Sequence, residues 1–184
     1  MKQLIHLLAA AAVLVLPACS KHESEAAATS SEAVKANKSL GDTLTGDSLF
    51  KTLTADLKAT GLDGVFSGKG QYTLLAPTDD AFKALGDKAA GLSGPDHQAL
   101  LAAVLRSHVV PGMLTTADIG KAIDANKGEP ISMRTMGSGS VKFARSGSGL
   151  TVTGSDGSTA RLAGDGVSAS NGAVLPIDAV LKKL

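Results

Sequence analysis

Adjacent carboxylates in the middle of the chain are the first candidates for chemistry. Asp79 and Asp80 follow an apolar run and a proline in the stretch TLLAPTDDAF, residues 73–82. Two acids can share a proton or hold a cation, but consecutive side chains on a helix diverge by about 100°, which disfavours both roles. We instead predict that a strand ends at Ala76, before the proline, and that Thr78 is the N-cap of a helix. The two carboxylates then lie in its first turn, where the helix dipole stabilises them.

The histidines and serines give no convincing catalytic or metal-binding arrangement. Beyond the N-terminal region the chain has His97 and His108, with no acidic residues at ligand spacing from them. We predict that His108, which follows an apolar helix, is buried and hydrogen-bonded to the backbone. The serines lack the G-x-S-x-G context of a hydrolase, and the glycine-rich runs lack the Lys-Ser/Thr of a P-loop. The sequence therefore predicts no catalytic residue, no metal, no cofactor and no enzymatic activity.

The N-terminal segment, MKQLIHLLAAAAVLVLPACS, has the pattern of an export signal. Lys2 precedes a mostly apolar stretch that is too short for a typical membrane span, and a small residue precedes Cys19. The tetrapeptide LPAC, residues 16–19, resembles the lipobox of bacterial lipoproteins, in which the signal is removed and the cysteine thiol receives a diacylglycerol. We therefore predict a signal peptide over residues 1–18 and lipid attachment at Cys19. The alternative is an ordinary secretory signal followed by an incidental cysteine.

The segment after Cys19 is predicted to be a flexible tether. Residues 20–39 are rich in Ala, Ser and Glu, and Val34 is their only large apolar residue. They cannot bury enough surface to offset the entropy of ordering. A flexible coil of about 20 residues spans roughly 25 Å, which would hold a domain just above a bilayer. The predicted organisation is a signal peptide (1–18), the lipidated cysteine with its tether (19–43) and one folded domain (44–184).

Charge and aromatic content limit the class of partner. Removal of residues 1–18 takes Lys2 and no acid from the chain, so its 18 basic residues become 17, equal to its 17 acidic residues. A neutral chain without a basic stripe is a poor match for phosphate backbones, and we predict no nucleic-acid partner. With four Phe, one Tyr and no Trp, we do not expect sugar recognition by aromatic stacking, although recognition through hydrogen bonds is open.

Apolar periodicity predicts two helices in the first half of the folded region. Residues 47–62 repeat a large apolar residue at every fourth position, with Asp47 or Ser48 as N-cap and Gly61 as the stop. The apolar face of this helix is predicted to comprise Leu49, Leu53 and Leu57, with Phe50 beside them. A second helix over Pro95–Leu105 is predicted to pack through Leu100, Leu101, Val104 and Leu105.

The second half of the folded region is predicted to form antiparallel strands. Beyond Gly128, β-compatible runs such as VKFA and LTVT alternate with glycine-rich turns. Asn171-Gly172 predicts a tight turn before the last apolar run, in which Pro176 indicates an edge strand or a bulge. Helices followed by strands predict an α+β domain with a compact sheet.

Three motifs together resemble the fasciclin domain. They are TLLAPTDDAF at residues 73–82, LLAAVLRSHVVPG at residues 100–112 and SNGAVLPIDAVL at residues 170–181, in the family's order and spacing. The resemblance covers residues 44–184 and implies the family's fold, a wedge of two short β-sheets flanked by several α-helices. It also implies a domain that contacts other proteins, matrix or cell surfaces.

The chain departs from the family pattern in two places. The family often has an aromatic residue directly before the histidine of the second motif, where this chain has Ser107. That difference puts in question any adhesion motif built on the aromatic residue. The family also commonly has a histidine in its closing segment, where this chain has Leu175 and Pro176. The resemblance therefore names no binding residue in this chain.

The sequence as a whole predicts an exported, lipid-anchored envelope protein that presents one interaction or adhesion domain. Its expected partners are a membrane, through the lipid on Cys19, and an unidentified envelope or cell-surface protein or matrix. An aspartate directly after the lipidated cysteine resembles an inner-membrane retention signal of some Gram-negative bacteria. This chain has Ser20 at that position, so we expect delivery to the outer membrane. Two alternatives are open: a periplasmic scaffold, and binding of an apolar, carotenoid-like molecule in a groove lined by Met113, Met133 and Met136.

Overall fold

The computed structural model describes residues 37–92 and 94–183 and shows an α+β fold. The predicted signal peptide over residues 1–18, Cys19 and most of the predicted tether lie outside the described residues. Within them, short helices pack against two four-stranded sheets. The α+β class predicted from the sequence is confirmed.

Short helices dominate the first half of the described chain. The α-helices are α1 (Leu40–Thr45), α2 (Lys51–Ala59), α3 (Asp63–Phe66), α4 (Asp79–Lys83), α5 (Gln98–Ser107) and α6 (Thr116–Ala125). Further 3-10 turns lie at Ser48–Phe50, Gly86–Leu92 and Pro95–His97. The two helices predicted from periodicity are thus observed as α2 and α5, each preceded by a 3-10 turn. Gly61, the predicted stop, follows α2 with a left-handed φ of 68°.

The strands form one mixed sheet and one antiparallel sheet. They are β1 (Tyr72–Pro77), β2 (Val109–Pro111), β3 (Ile131–Arg134), β4 (Ser140–Ser146), β5 (Gly149–Thr153), β6 (Thr159–Arg161), β7 (Val167–Ala169) and β8 (Gly172–Ile177). The first sheet has the order β2-β1-β8-β7, and the second has the order β3-β4-β5-β6. All neighbours in the second sheet are antiparallel, which confirms the hairpins predicted beyond Gly128.

The parallel strands β1 and β8 form the centre of the first sheet. Leu74 lies opposite Val174, and Leu75 lies opposite Leu175, in an unbroken register. Both faces of these strands are buried, as is typical of parallel strands. The edge strand or bulge predicted from Pro176 is therefore wrong, because β8 lies between β1 and β7. The proline is tolerated since β7 pairs only as far as Val174, so its missing N–H breaks no bond to that strand.

Two apolar clusters lie on opposite faces of the first sheet. The first cluster joins Leu74 and Val174 to α1, α2, α3 and α5. The second cluster joins Leu75 and Leu175 to the inner face of the second sheet, where the buried residues include Val141, Phe143 and Val152. The second sheet thus uses one face for the core and turns the other towards solvent.

Two leucines of the predicted apolar faces are exposed, and these predictions are wrong. Leu49 is 54% exposed because it lies in the 3-10 turn before α2, which directs Phe50 inwards instead. Leu100 is 40% exposed because the buried face of α5 is centred one residue further along the helix. The other predicted residues of these faces are buried: Leu53, Leu57, Leu101, Val104 and Leu105.

The folded core begins before the predicted boundary at residue 44. Ser39 caps α1 in a capping box: its hydroxyl accepts a hydrogen bond from the Asp42 N–H, and the Asp42 carboxylate accepts one from the Ser39 N–H. α1 then buries Leu40 and Leu44 in the first cluster. Residues 40–43, which the sequence places in the tether, therefore belong to the folded domain.

Candidate functional site

Asp79 and Asp80 begin a helix, as predicted, and do not form a joint site. The hydroxyl of Thr78 caps α4 by accepting a hydrogen bond of 3.2 Å from the backbone N–H three residues on. Both carboxylates lie in the first turn of α4. β1 extends through Pro77, one residue beyond the predicted end, because the Thr78 N–H still donates to the carbonyl of Ile177 at 3.2 Å.

The two acids have different partners. The Oδ1 atom of Asp79 accepts a hydrogen bond of 2.8 Å from the backbone N–H of Thr52, in the first turn of α2. The N-cap residue of α2, Phe50, provides no side-chain bond, so Asp79 caps α2 in its place. The bond from Thr52 holds the pKa of Asp79 below its usual range. Asp80 instead forms an exposed ion pair of 2.8 Å with Lys83.

His108 is buried and bonded to the backbone, as predicted. Its Nδ1–H donates to the carbonyl of Val104 at 2.8 Å, and its Nε2 accepts the backbone N–H of Leu181 at 2.9 Å. One donor and one acceptor make up the whole capacity of a neutral imidazole. Burial lowers the pKa of His108 to about 4. Neither ring nitrogen is left for metal binding or proton transfer.

Asn171 is a buried connector that sequence reasoning did not identify. Its Oδ1 accepts the backbone N–H of Leu40 at 2.7 Å, and its Nδ2 donates to the carbonyls of Phe66 and Gly68 at 2.7 and 2.9 Å. It therefore ties the start of α1 and the end of α3 to the turn before β8. The Asn-Gly pair in the sequence indicates only a turn. Its hydrogen-bond partners could not be predicted, because they are more than 100 residues away in the chain.

Gly172 is required by close packing at the same turn. A Cβ atom at this position would lie 1.9 Å from the carbonyl oxygen of Tyr72. The two-residue turn Ser170-Asn171 joins β7 to β8, and Gly172 is the first residue of β8 rather than a turn residue. The tight turn predicted at Asn171-Gly172 is therefore observed one residue earlier, and Gly172 serves the packing of the first sheet.

The two positions that depart from the family pattern have local structural roles. The hydroxyl of Ser107 donates to the carbonyl of Val104 at 2.6 Å. Ser107 also lines a small cavity of about 180 Å³ beside Leu100 and Leu181. Leu175 is buried in the second cluster. One position therefore completes a helix end and the other fills the core.

A larger open cavity of about 950 Å³ lies beside α6, the β4–β5 turn and the loop before β7. Its charged lining residues are Lys121, Asp124, Arg145 and Asp165. Arg145 donates to both carboxylate oxygens of Asp124 at 2.7 Å, so these two charges compensate each other. The remaining two residues are opposite in sign. The cavity therefore has no net charge with which to select an ion.

The methionines do not form the predicted apolar groove. Met133 packs against the second cluster, Met136 packs against the first, and Met113 is 39% exposed. None of the three lines either cavity. The two core methionines fill gaps on opposite sides of the first sheet, a common role for this side chain.

The described residues contain no group of three or more His, Cys, Asp or Glu side chains arranged to hold a metal ion. Among the helices of residues 37–92 and 94–183, none has the length and apolar character to cross a membrane. Cys19 lies outside these ranges, so its lipidation stays a prediction.

Comparison with solved structures identifies the class of this fold. The chain resembles the structure of a FAS1 domain pair from the insect cell adhesion molecule fasciclin I, with a TM-score of 0.62 and 14% sequence identity. The match covers 79% of this chain and 51% of that one. This likeness shows the FAS1 fold, with helices and two four-stranded sheets.

The family follows from sequence comparison. The fasciclin domain model matches residues 48–183, and the chain belongs to the fasciclin family. Protein sll1483 of Synechocystis sp. is 31% identical over 159 residues, which is 85% of this chain and 80% of that protein. The transforming growth factor-beta-induced protein ig-h3 of Sus scrofa is 32% identical over 132 residues, 72% of this chain but 17% of that protein. The resemblance drawn from the three motifs is confirmed.

Proposed function

We propose that this protein is a non-enzymatic, membrane-anchored envelope lipoprotein whose fasciclin domain mediates interaction with proteins or cell surfaces. The observation that carries the proposal is the fasciclin match over residues 48–183, together with the likeness to a cell adhesion molecule. Domains of this class act through their surfaces, so the partner is to be sought among macromolecules rather than small substrates.

The chemistry of the described side chains supports a role without catalysis. The carboxylate of Asp79 is held by Thr52, and both ring nitrogens of His108 are bonded to the backbone. The ion pair between Asp124 and Arg145 forms part of the wall of the larger cavity. Both ring nitrogens of His108 are thus taken up by the fold, and Asp79 serves as a helix cap. An enzyme would need such groups to face a substrate with free bonding capacity.

Anchoring is proposed from the N-terminal sequence. Cys19 follows Leu-Pro-Ala at the end of an apolar stretch, and residues 20–36 would provide reach between the lipid and the domain. Attachment through more than one acyl chain holds a protein stably at a membrane, whereas a single chain does not. A lipidated cysteine also leaves no free thiol in an exported chain.

Metabolic labelling tests the anchor directly. The full-length chain is expressed in a Gram-negative host fed an alkyne fatty acid, beside the variants Cys19→Ser and Ser20→Ala. We expect the wild type and Ser20→Ala to carry the label and sediment with membranes, and Cys19→Ser to lose the label and become extractable without detergent. Equal labelling of Cys19→Ser, or an unlabelled and freely extractable wild type, would contradict the proposal.

A further inference from the structure

The outer face of the second sheet is polar and positively charged. Side chains alternate along each strand, so the residues between the buried ones point to solvent. The side chains of this outer face, here called the basic face, are Ser132, Arg134, Ser140, Lys142, Ala144, Ser146, Thr151, Thr153, Thr159 and Arg161. It carries cations and hydroxyl groups but no acidic side chain.

The cations of the basic face have no acidic side chain as partner within the described part of the chain. The ion pairs of the described residues lie outside this face, at Asp80–Lys83 and Asp124–Arg145. One acid, Asp178, lies at the β6 edge, where its carboxylate accepts the backbone N–H of Arg161 at 2.7 Å. The guanidinium and ammonium groups themselves are therefore available to an external anion.

The strand register sets these cations on a diagonal line. Arg134 lies opposite Ser140 on β4, and Lys142 is two residues further along that strand. Arg161 lies opposite Thr151, whose other neighbour is Ala144, two residues beyond Lys142. With strands about 4.8 Å apart and about 3.3 Å per residue, the successive Cα separations are about 8 and 12 Å. The line crosses the whole sheet and is flanked by hydroxyl groups.

We propose that the basic face binds a linear acidic polysaccharide, a hydrated sugar polymer with repeating anionic groups. The line of cations complements the charge of such a chain, and the Ser and Thr hydroxyls complement its hydroxyl groups. The inference rests on the proposed interaction role of the domain and names the class of its partner.

The composition of the face disfavours other anionic partners. Ala144 is its only apolar residue, whereas adsorption to a bilayer draws strength from buried apolar side chains. The face has no aromatic residue on which the bases of a single-stranded nucleic acid could stack. It also lacks the aromatic anchors and apolar centre of a typical protein interface. Charge and hydroxyl groups alone match a hydrated polyanion best.

The test measures binding of the full-length chain, purified in a neutral detergent, to immobilised alginate, with immobilised dextran as the uncharged reference. We expect binding to alginate at 50 mM salt, at least tenfold weaker binding at 500 mM salt, and no binding to dextran. The variant Arg134→Gln/Lys142→Gln/Arg161→Gln should bind alginate at least tenfold more weakly than the wild type. These substitutions lie on exposed positions, so a thermal unfolding scan should show an intact fold.

The control variant Lys58→Gln/Lys69→Gln/Lys88→Gln removes the same charge from exposed positions elsewhere. It should bind alginate nearly as well as the wild type. An absence of alginate binding, or equal losses in both variants, would overturn the proposal. Equally strong, face-dependent binding to phosphatidylglycerol vesicles or to oligo(dT) would also overturn it, by assigning the face to a different polyanion. None of these measurements depends on lipid labelling. A failure of the polysaccharide proposal can therefore be distinguished from a failure of the proposed lipid anchor.

Discussion

At the scale of single residues, His108 joins two segments that are 73 residues apart. Its ring donates to Val104 within α5 and accepts from Leu181, beyond β8. Protonation would place a second N–H against the Leu181 N–H and put a charge in the core. The ring must therefore stay neutral in the folded protein, and its titration is linked to folding.

The free energy of unfolding should fall as the pH decreases from about 6.5 to about 4. The pKa of His108 is about 4 in the folded protein and about 6.5 in the unfolded chain. Because the folded pKa is the lower one, the unfolded state binds more protons between these values. The stabilisation is complete above pH 6.5 and is lost as the pH falls through 4, with a loss of about 2 kcal/mol between pH 7.5 and 5.

Urea unfolding of three proteins at pH 7.5 and 5 checks this prediction. His108→Gln should be less stable than the wild type at pH 7.5 but should lose less stability on acidification. His97→Gln is the histidine control at an exposed position, and it should lose more stability between pH 7.5 and 5 than His108→Gln does. If His108→Gln keeps the full pH dependence, the linkage assigned to His108 is incorrect.

Asn171→Ala should destabilise the protein by about 2 to 4 kcal/mol, because it removes bonds to three backbone groups and leaves the buried N–H of Leu40 unsatisfied. Asn126→Ala is the matched control, since its amide also bonds backbone carbonyls but at an exposed position; its effect should be within about 0.5 kcal/mol. Chemical denaturation gives both values. Equal losses in the two variants would refute the connecting role of Asn171.

At the scale of elements, Asp79 couples the junction of β1 and α4 to the start of α2. The residue lies in the first turn of its own helix and bonds Thr52 in the first turn of another. The orphan N–H groups of α2 have no bond from the Phe50 side chain. One carboxylate thus links the first turns of α2 and α4.

Asp79→Ala should cost about 1 kcal/mol in the free energy of unfolding, the usual effect of losing a helix cap. Asp80→Ala should have a smaller effect, since its ion pair with Lys83 is exposed and such pairs contribute little. Parallel urea titrations of the two variants at pH 7 compare them directly. A larger loss for Asp80→Ala than for Asp79→Ala would show that the bond to Thr52 is unimportant.

Local features of the fold could be predicted from the sequence, and distant contacts could not. Thr78, Asp79 and Asp80 mark the start of a helix within three consecutive residues. The hairpins beyond Gly128 also join strands that are close in the sequence. Leu49 is exposed, against the prediction, because periodicity does not reveal that a 3-10 turn precedes α2. Pro176 lies in a central strand, against the prediction, because the sequence does not show where the neighbouring strand β7 ends.

The candidate surface required the structure. Arg134, Lys142 and Arg161 lie on different strands, and their spacing in the sequence forms no basic run. Only the register of the second sheet brings them to one face. The net charge, close to zero, concealed this local excess of cations. The net charge of a chain is therefore a weaker reason to exclude a class of partner than the charge of a defined face.

At the scale of the whole molecule, the domain pairs its buried polar groups and turns one face of the second sheet towards solvent. In the described part of the chain, every buried side-chain nitrogen and oxygen has a hydrogen-bond partner. The first sheet is covered on both faces, whereas the second is covered on one. An anchored domain of this kind would act by presenting its outer surface to a partner.

Protease shaving of intact cells tests most directly the proposed interaction with cell surfaces, which requires that the anchored fasciclin domain lie outside the outer membrane. Cells expressing the full-length chain are treated with protease, and an antibody against the domain follows its release, with a periplasmic protein as the leakage control. We predict cleavage within residues 20–36 and release of the domain while the control stays intact. Protection of the domain until the outer membrane is breached would contradict surface display and favour a periplasmic scaffold.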